Sequence, residues 1–565
     1  MPTIEVERED LESLLGVELP QDEAELNELL AYVKGEAKQF DAETIHVDIK
    51  DSNRADVWGV EGIARALRGF LGLEKGLKHY RIVGGSGVKV DVDPRLENIR
   101  PFIGCAVVKG VKLTDAAIRH IMRFQDKLDE TYGRHRRRTS IGVYEFDLVT
   151  PPLRYSVAKP GEVSFVPLEF EEELTLEEIL EKHPKGVDYG HIVRPFPVWP
   201  ILMDSEDKVL SFPPVINSND LGRITEKTRN VLVEVTGTAK ETVLDTVTNV
   251  TLALADRGGD IYSAKVHYPY GKLPEAVTPA LDIETLDLDV DYVRKVIGIE
   301  LTAAEIKDLL EMSRYGVAEA TKSKIVVEVP CYRVDVLHPI DVVEDIAISY
   351  NYNNLQPRWP RLLTVGGLSP ETQFRDLARE IMIGMGFQEV LSYALTCPDV
   401  LFARMNLEPA RVVELENPKL VSMTCLRNWL LPSLMEFLSR NVHVEQPQRI
   451  FEAGYCIVHD EKRENKTRDV EKLACVTTHS SASFTEAKSA LDAFLVNLGT
   501  GYQLEETSHA SFIEGRAGRI LIGDEEVGLI GELHPQVLGN WNLENPAAAF
   551  EVALCRLRRL VQAEG

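Results

Sequence analysis

A chain of 565 residues that is 44% hydrophobic and 27% charged has a globular composition, and at ~150 residues per domain it holds roughly three to five domains. No stretch approaches the ~18 consecutive apolar residues of a membrane-spanning helix, so membrane and disordered classes fall away. Lys and Arg total 63 against 90 Asp and Glu, and the resulting formal charge of −27 excludes nucleic-acid binding by the surface at large; any such contact is local.

The opening segment MPTIEVERED has no basic region followed by an apolar one, so no signal peptide and a cytoplasmic location are expected. The seven cysteines (Cys105, Cys331, Cys397, Cys425, Cys456, Cys475 and Cys555) are odd in number and lack C-x-x-C spacing, which predicts buried thiols rather than disulfides or a thiolate zinc site. The thirteen histidines include no H-x-x-x-H or H-E-x-x-H pattern.

In chain order, the first feature is one half of a repeat. Residues 11–19 (LESLLGVEL) lead through a polar helical stretch to the alternating run 44–49 and then Arg54-Ala55-Asp56-Val57. Residues 293–301 (VRKVIGIEL) lead in the same way to the alternating run 324–329 and Arg333-Val334-Asp335-Val336. A helical pattern follows each, over 60–71 and 340–350, so each unit reads helix, helix, strand, helix. The second copy carries Thr302-Ala303-Ala304-Glu305, a capping box.

Between the copies, Gly84-Gly85-Ser86-Gly87 precedes an alternating segment rather than a helix and predicts a turn, not a phosphate loop. An alternating run at 102–108 is followed by a helix over 114–132 with Gly133 as its stop, and Arg257-Gly258-Gly259-Asp260 separates a helix from the last strand, a mixture that predicts an α+β domain. Beyond Pro360, Ser369-Pro370 predicts a helix start and Gly386 its stop. Strand-like runs at 387–395, 449–457, 519–530 and 549–555 predict an antiparallel sheet with helices on one side.

Two constellations stand out chemically. Asp341, Glu344 and Asp345 have i, i+3, i+4 spacing and, with Asp335, make an all-oxygen set suited to Mg²⁺. Acids in a first helical turn also simply complement the helix dipole, and Pro339 marks such a start. The repeat places Asp56 opposite Asp335 but Gly62, Arg65 and Ala66 opposite the other three, so the fold alone does not demand them. The basic run Arg134-His135-Arg136-Arg137-Arg138 offers a phosphate grip through Arg136, Arg137 and Arg138, or a solvated face.

Asn53 to Asp56, Ile141 to Asp147, Leu210 to Asn217, Arg333 to Asp345, Leu430 to Leu434, Phe451 to Gly454 and Gly531 to Pro535 together resemble the β subunits of archaeal and eukaryotic cytosolic phenylalanyl-tRNA synthetase, and the resemblance runs the length of the chain. It implies an α+β multidomain protein: a first module at 1–95, an editing domain at 96–269, a second module at 270–356, and a class II synthetase-like antiparallel sheet domain at 357–565. That last domain is expected to be non-catalytic. Stabilising charge at the α-phosphate takes arginines from F-R-x-E and G-x-G-x-x-R motifs, and the equivalents Ile450-Phe451-Glu452 and Gly528 to Glu532 supply none in place. The resemblance therefore implies an α subunit that activates phenylalanine with ATP, an (αβ)₂ heterotetramer, tRNA(Phe) as substrate, no membrane, and Mg²⁺ shared with the α subunit at Asp335, Asp341, Glu344 and Asp345. It further implies an editing pocket for mischarged Tyr-tRNA at Leu202, Ser211, Glu234 and Thr236, with glutamate where aspartate is common. His191, near that segment, is a candidate base or a structural histidine. The same modules equally suit a non-enzymatic scaffold that binds RNA or protein.

Overall fold

Thr44–Ile49 alternates polar and apolar side chains, and in the computed structural model, which describes residues 3–41, 43–271, 275–360 and 363–564, it is the central strand of a small sheet. The first module comprises β1 (Thr3–Glu7), α1 (Arg8–Leu15), α2 (Glu23–Ala31), β2 (Gly35–Phe40), β3 (Thr44–Ile49) and α3 (Val60–Phe70), with sheet order β1-β3-β2. Neither of the edge strands β1 and β2 is named from the sequence: β1 alternates, with Ile4 and Val6 buried, but over only five residues, and β2 (GEAKQF) has little apolar alternation.

The middle region adds β4 (Ile82–Val92), β5 (Phe102–Lys109), α4 (Asp115–Glu130), β6 (Thr139–Glu145), β7 (Leu153–Ala158), β8 (Ser164–Phe165), β9 (Leu174–Thr175), α5 (Leu176–Lys182) and α6 (Pro184–Tyr189). It continues with β10 (Trp199–Met203), β11 (Val209–Phe212), β12 (Ile216–Asn217), β13 (Asn230–Gly237), α7 (Lys240–Asp256), β14 (Asp260–His267) and β15 (Glu275–Thr278). A ten-stranded sheet runs β12-β11-β10-β7-β4-β14-β5-β13-β6, with β15 added to β14. Strands β4 and β15 lie outside the expected 96–269 boundaries, because β4 pairs in parallel with β14 and β7, a non-local partnership that local pattern does not encode. The Gly84–Gly87 segment is accordingly not a turn but an irregular part of β4, where Gly87 takes φ +85° and Ser86 Oγ donates to the Ser263 carbonyl.

Strand β13 explains how this sheet sorts its residues. Val231, Val233 and Val235 pack against Phe124 and Leu128 of α4 and Val243 and Val247 of α7. Leu232 points to the other face with Tyr144, Tyr155 and Leu210, and Glu234 and Thr236 share its parity. Each fully buried Val or Leu contributes roughly 1.5–3 kcal/mol, so the valine face fixes the register that presents Glu234.

The second module repeats the first with β16 (Glu284–Asp289), α8 (Val290–Ile297), α9 (Ala303–Met312), β17 (Gly316–Ala320), β18 (Lys324–Val329) and α10 (Pro339–Tyr350), in sheet order β16-β18-β17. Thr302 and Glu305 close the capping box at the start of α9.

Residues 359–565 form a separate compact unit. Its elements are α11 (Pro370–Gly384), β19 (Gln388–Glu389), β20 (Leu395–Thr396), α12 (Pro398–Leu401), β21 (Cys425–Leu426), α13 (Leu431–Arg440), β22 (Gln448–His459) and β23 (Thr467–Thr478). These are followed by α14 (Phe484–Asn497), β24 (Gln503–Glu506), β25 (Phe512–Ile522), β26 (Glu525–Leu533), α15 (Pro535–Asn540), β27 (Ala547–Ala553) and α16 (Leu554–Glu564). The sheet order is β19-β22-β23-β27-β26-β25-β24, antiparallel except between β19 and β22. Helices cover both faces rather than one. Leu491 and Phe494 of α14 and Leu557 of α16 pack on Leu473, Phe550 and Val552, whereas Leu434 and Leu438 of α13 and Val537 of α15 pack on Ile450, Ala474 and Ala549. All seven cysteines are free; Cys331, Cys397 and Cys555 are partly exposed, unlike the four buried ones.

Candidate active site

A cavity of about 250 Å³ opens on the polar end of β13, and Ser211, Glu234, Ser140, Asn217, Asp129 and Arg136 all line it. Glu234 lies opposite Gly142 of β6, and that glycine is required: a Cβ there would sit 2.2 Å from Tyr144 Oη and 2.6 Å from Glu234 Oε2. Gly142→Ala is therefore expected to destabilise the chain by about 1–3 kcal/mol, the cost of overpacking, read as a lowered midpoint of denaturant unfolding. An unchanged midpoint would show that Tyr144 and Glu234 yield freely.

Glu234 is 2% exposed. Its Oε2 accepts a 2.9 Å hydrogen bond from the Tyr144 hydroxyl, while Oε1, also buried, has no partner among the described residues. Burial pushes its carboxyl up to about 7, against the Tyr144 hydroxyl and the nearby Arg100 guanidinium, which favour the ionised form. Arg100 organises the strand end beneath. Its Nε donates to Thr236 Oγ1 at 2.9 Å, and its Nη2 donates to Ser140 Oγ at 3.0 Å and to the Thr236 carbonyl at 2.7 Å. Burial holds this arginine below its ordinary value.

Of the four expected pocket residues, Ser211 and Glu234 line the cavity. Thr236 stands one layer away, bonded to Arg100 and 3.1 Å from Ser140 Oγ. Leu202 does not line it; it is fully buried in the apolar cluster of Tyr155, Leu210 and Leu232, where its neighbours satisfy it completely. His191 is exposed, with Nδ1 2.9 Å from the Asp188 carbonyl, and is not at the site. The histidine that lines the cavity is His183, whose two nitrogens are engaged by the Leu168 carbonyl and the Lys185 amide.

The basic run divides. Arg134, His135 and Arg136 are successive left-handed residues that turn Arg136 inward. Its Nε is 2.9 Å from Asp129 Oδ2, its Nη1 donates to the Val215 carbonyl at 2.9 Å, and its guanidinium lies 4.4 Å from the Tyr189 ring centroid. Arg136 is thus wall, not surface grip; Arg137 and Arg138 are exposed. Tyr144, Arg100 and Asp129 are not singled out by sequence reading, because Tyr144 meets Glu234 90 residues away, Arg100 meets Ser140 40 residues away, and Asp129 meets Arg136 only through a left-handed turn.

The four expected metal residues each have a partner within the chain. Arg333 takes Asp335 in a fork, Nε to Oδ1 at 2.8 Å and Nη2 to Oδ2 at 2.7 Å, and its Nη2 also donates to Asp345 Oδ2 at 2.7 Å. Asp341 accepts from the Leu337 and His338 amides at the start of α10, and Glu344 pairs with Lys34 at 2.8 Å. Burial works against ionisation of Asp335, but Arg333 and Arg54 hold its carboxyl below the ordinary range. Among the described residues no group of three or more His, Cys, Asp or Glu is placed to hold a metal ion, so these residues alone build no all-protein cation cage. The first copy has the same fork, Arg54 to Asp56 at 2.8 and 2.9 Å.

In the second unit, Glu452 is buried and paired with Arg427 at 2.8 Å, and Gly528 to Glu532 lie within β26. Sequence reading passed over Arg556 at the β27–α16 junction, which lines a cavity of about 420 Å³ and whose Nη1 donates to the Glu526 carbonyl.

Residues 355–554 match the family model described as phenylalanyl tRNA synthetase beta chain CLM domain, and residues 286–352 match the tRNA synthetase B5 domain. Similar proteins include the phenylalanine–tRNA ligase β subunit of Pyrococcus furiosus, 46% identical over 99% of this chain and 100% of that one, and that of Archaeoglobus fulgidus, 40% identical over 98% of each. A solved N-terminal fragment of the phenylalanyl-tRNA synthetase β subunit from Pyrococcus horikoshii covers 62% of this chain and 100% of its own, at 40% identity and a TM-score of 0.59. With identity of this depth sustained over nearly the whole length, the chain belongs to the phenylalanine–tRNA ligase β-subunit family.

Proposed function

We propose that this chain is the β chain of a cytoplasmic phenylalanine–tRNA ligase, supporting ATP-dependent charging of tRNA(Phe) by an α chain in an (αβ)₂ assembly and hydrolysing Tyr-tRNA(Phe) in the cavity beside β13. The observation that carries the editing reading is the buried, half-partnered carboxyl of Glu234. Tyrosine is phenylalanine plus a hydroxyl, and an apolar synthetic pocket rejects such an isostere only about 10²-fold, so a second site must read the hydroxyl. Glu234 Oε1 is an acceptor waiting for one donor. A phenol supplies it; phenylalanine leaves the acceptor desolvated and unpaired, a penalty of about 1–3 kcal/mol or more.

In the hydrolysis itself, water adds to the ester carbonyl carbon, the bond to the ribose oxygen breaks, and that oxygen leaves with a proton. With His183 engaged at both nitrogens, the cavity's proton-accepting groups are carboxylates, and Ser211 and Asn217 stand ready to orient the ester. Exposed Arg137 and Arg138 follow Arg136 in the chain and half-buried Lys185 lines the cavity, positive charge available to the tRNA end. Within this chain the carboxylates of residues 335–345 are engaged by Arg333, Lys34 and backbone amides, so a Mg²⁺ shared with the α chain would draw its remaining ligands from that chain and water.

Phenylalanine-dependent ATP–pyrophosphate exchange is expected only when the α chain is added, and hydrolysis of Tyr-tRNA(Phe) in the chain's presence. Exchange by the chain alone would make the second unit a catalytic domain and overturn the division of labour.

A further inference from the structure

The editing cavity has a second open carboxylate that phenol recognition does not use. Asp129, in the last turn of α4, is 2% exposed and lines the cavity. Its Oδ2 faces Arg136 Nε, and its buried Oδ1 has no hydrogen-bond partner among the described residues. A tyrosyl ester has two polar features beyond the reacting carbonyl, the phenol and the α-ammonium group. Among the described residues the cavity has two buried carboxylate oxygens without a hydrogen-bond partner, one on Glu234 and one on Asp129.

We propose, resting on the editing reading above, that Asp129 binds the α-ammonium group of the esterified amino acid, so that the cavity accepts an aminoacyl ester by its two ends. Three observations support the assignment of the cation to Asp129 rather than to Glu234. Asp129 sits at the C-terminal end of a helix, where the backbone dipole favours a cation and disfavours a carboxylate. Asp126, one turn earlier on α4, lines the same cavity and adds negative charge to that wall. Glu234, by contrast, lies on the sheet with Oε2 already taken by the Tyr144 hydroxyl, leaving one acceptor position that suits a single neutral donor. The charged side chains of the lining are Asp126, Asp129, Glu169 and Glu234 against Arg136 and Lys185, a balance that favours a ligand bearing a positive charge. An α-amino group carries that charge at neutral pH.

The consequence is selectivity for a free amine: an acyl ester with the phenol but without the ammonium group should be a poor substrate. The test compares Tyr-tRNA(Phe) with 3-(4-hydroxyphenyl)propionyl-tRNA(Phe), which lacks only the amine, using the full chain as wild type, Asp129→Asn and Glu234→Gln. Wild type is expected to hydrolyse the deamino ester with kcat/KM roughly 30-fold below that for Tyr-tRNA(Phe), the loss typical of a buried charge pair without its partner. In Asp129→Asn the Tyr-tRNA(Phe) value should fall by a similar factor, mainly through KM, and the gap between the two esters should close. Glu234→Gln should slow both esters and keep the gap. Wild-type rates equal for the two esters, or an Asp129→Asn loss of the same size on both, would overturn the amine assignment and leave the editing reading intact. No wild-type hydrolysis of Tyr-tRNA(Phe), or Glu234→Gln without effect on either ester, would overturn both.

Discussion

Replacing Glu234 by alanine is expected to slow hydrolysis of Tyr-tRNA(Phe) roughly 100-fold, with phenylalanine charging by the αβ complex unchanged. The size follows from what the side chain does. Its Oε1 is the open oxygen of a buried carboxyl, whose hydrogen bond to a phenol contributes about 1–3 kcal/mol against being left unpaired, and its Oε2 holds the Tyr144 hydroxyl that shapes the same wall. Under the proposed division of labour charging takes place on the α chain and is spared, and Glu234 belongs to a sheet built entirely within residues 82–278. Deacylation at the wild-type rate would remove Glu234 from the pocket.

The isosteric change Glu234→Gln separates recognition from folding. The native carboxyl keeps its proton up to about pH 7, whereas an unfolded glutamate releases it near 4.5. The native chain thus binds the extra proton between those values, and the stability tied to it is complete below about pH 4.5 and lost as pH rises through about 7. Glutamine never ionises. Its advantage in unfolding midpoint over wild type should therefore be small at pH 5 and grow towards pH 8, to no more than about 3 kcal/mol.

The residues proposed for this site reach the sequence reading through family resemblance. Glu234, Thr236 and Ser211 come that way, and the valines of 231, 233 and 235, buried on one face of β13, explain why Glu234 and Thr236 share the other. What is not legible is the company these residues keep. Arg100, Tyr144 and Asp129 come from a loop, a neighbouring strand and a helix end, joined only by sheet register and by the left-handed turn that swings Arg136 inward. Leu202 shows the reverse case: a residue in the right segment whose side chain has an apolar cluster to join. The same limit holds for the helix acids. Spacing fixes which face Asp341, Glu344 and Asp345 occupy along α10, but it says nothing of a cation arriving from outside the helix, and Arg333 arrives first.

That difference has its own large expected effect. Arg333→Leu should destabilise the chain by about 3–5 kcal/mol, because it strands two carboxylates, Asp335 and Asp345, whose side chains are only 8% and 9% exposed. Asp345 would keep the Tyr315 hydroxyl at 2.6 Å, which is a hydrogen bond but not a counter-charge. Arg54→Leu, in the equivalent fork of the first copy, strands one carboxylate, Asp56, and relieves the repulsion between Arg54 and Arg333, so its cost should be smaller. A bound magnesium ion makes a different prediction. If the carboxylates held one, EDTA would lower the unfolding midpoint of the wild-type chain, and Arg333→Leu would free two ligands and strengthen metal binding. With Arg333 as the counter-ion, EDTA leaves the midpoint where it was, and added Mg²⁺ does not restore the variant. Denaturant unfolding of wild type, Arg54→Leu and Arg333→Leu, each with Mg²⁺ and with EDTA, decides between an arginine and a metal at the centre of this module.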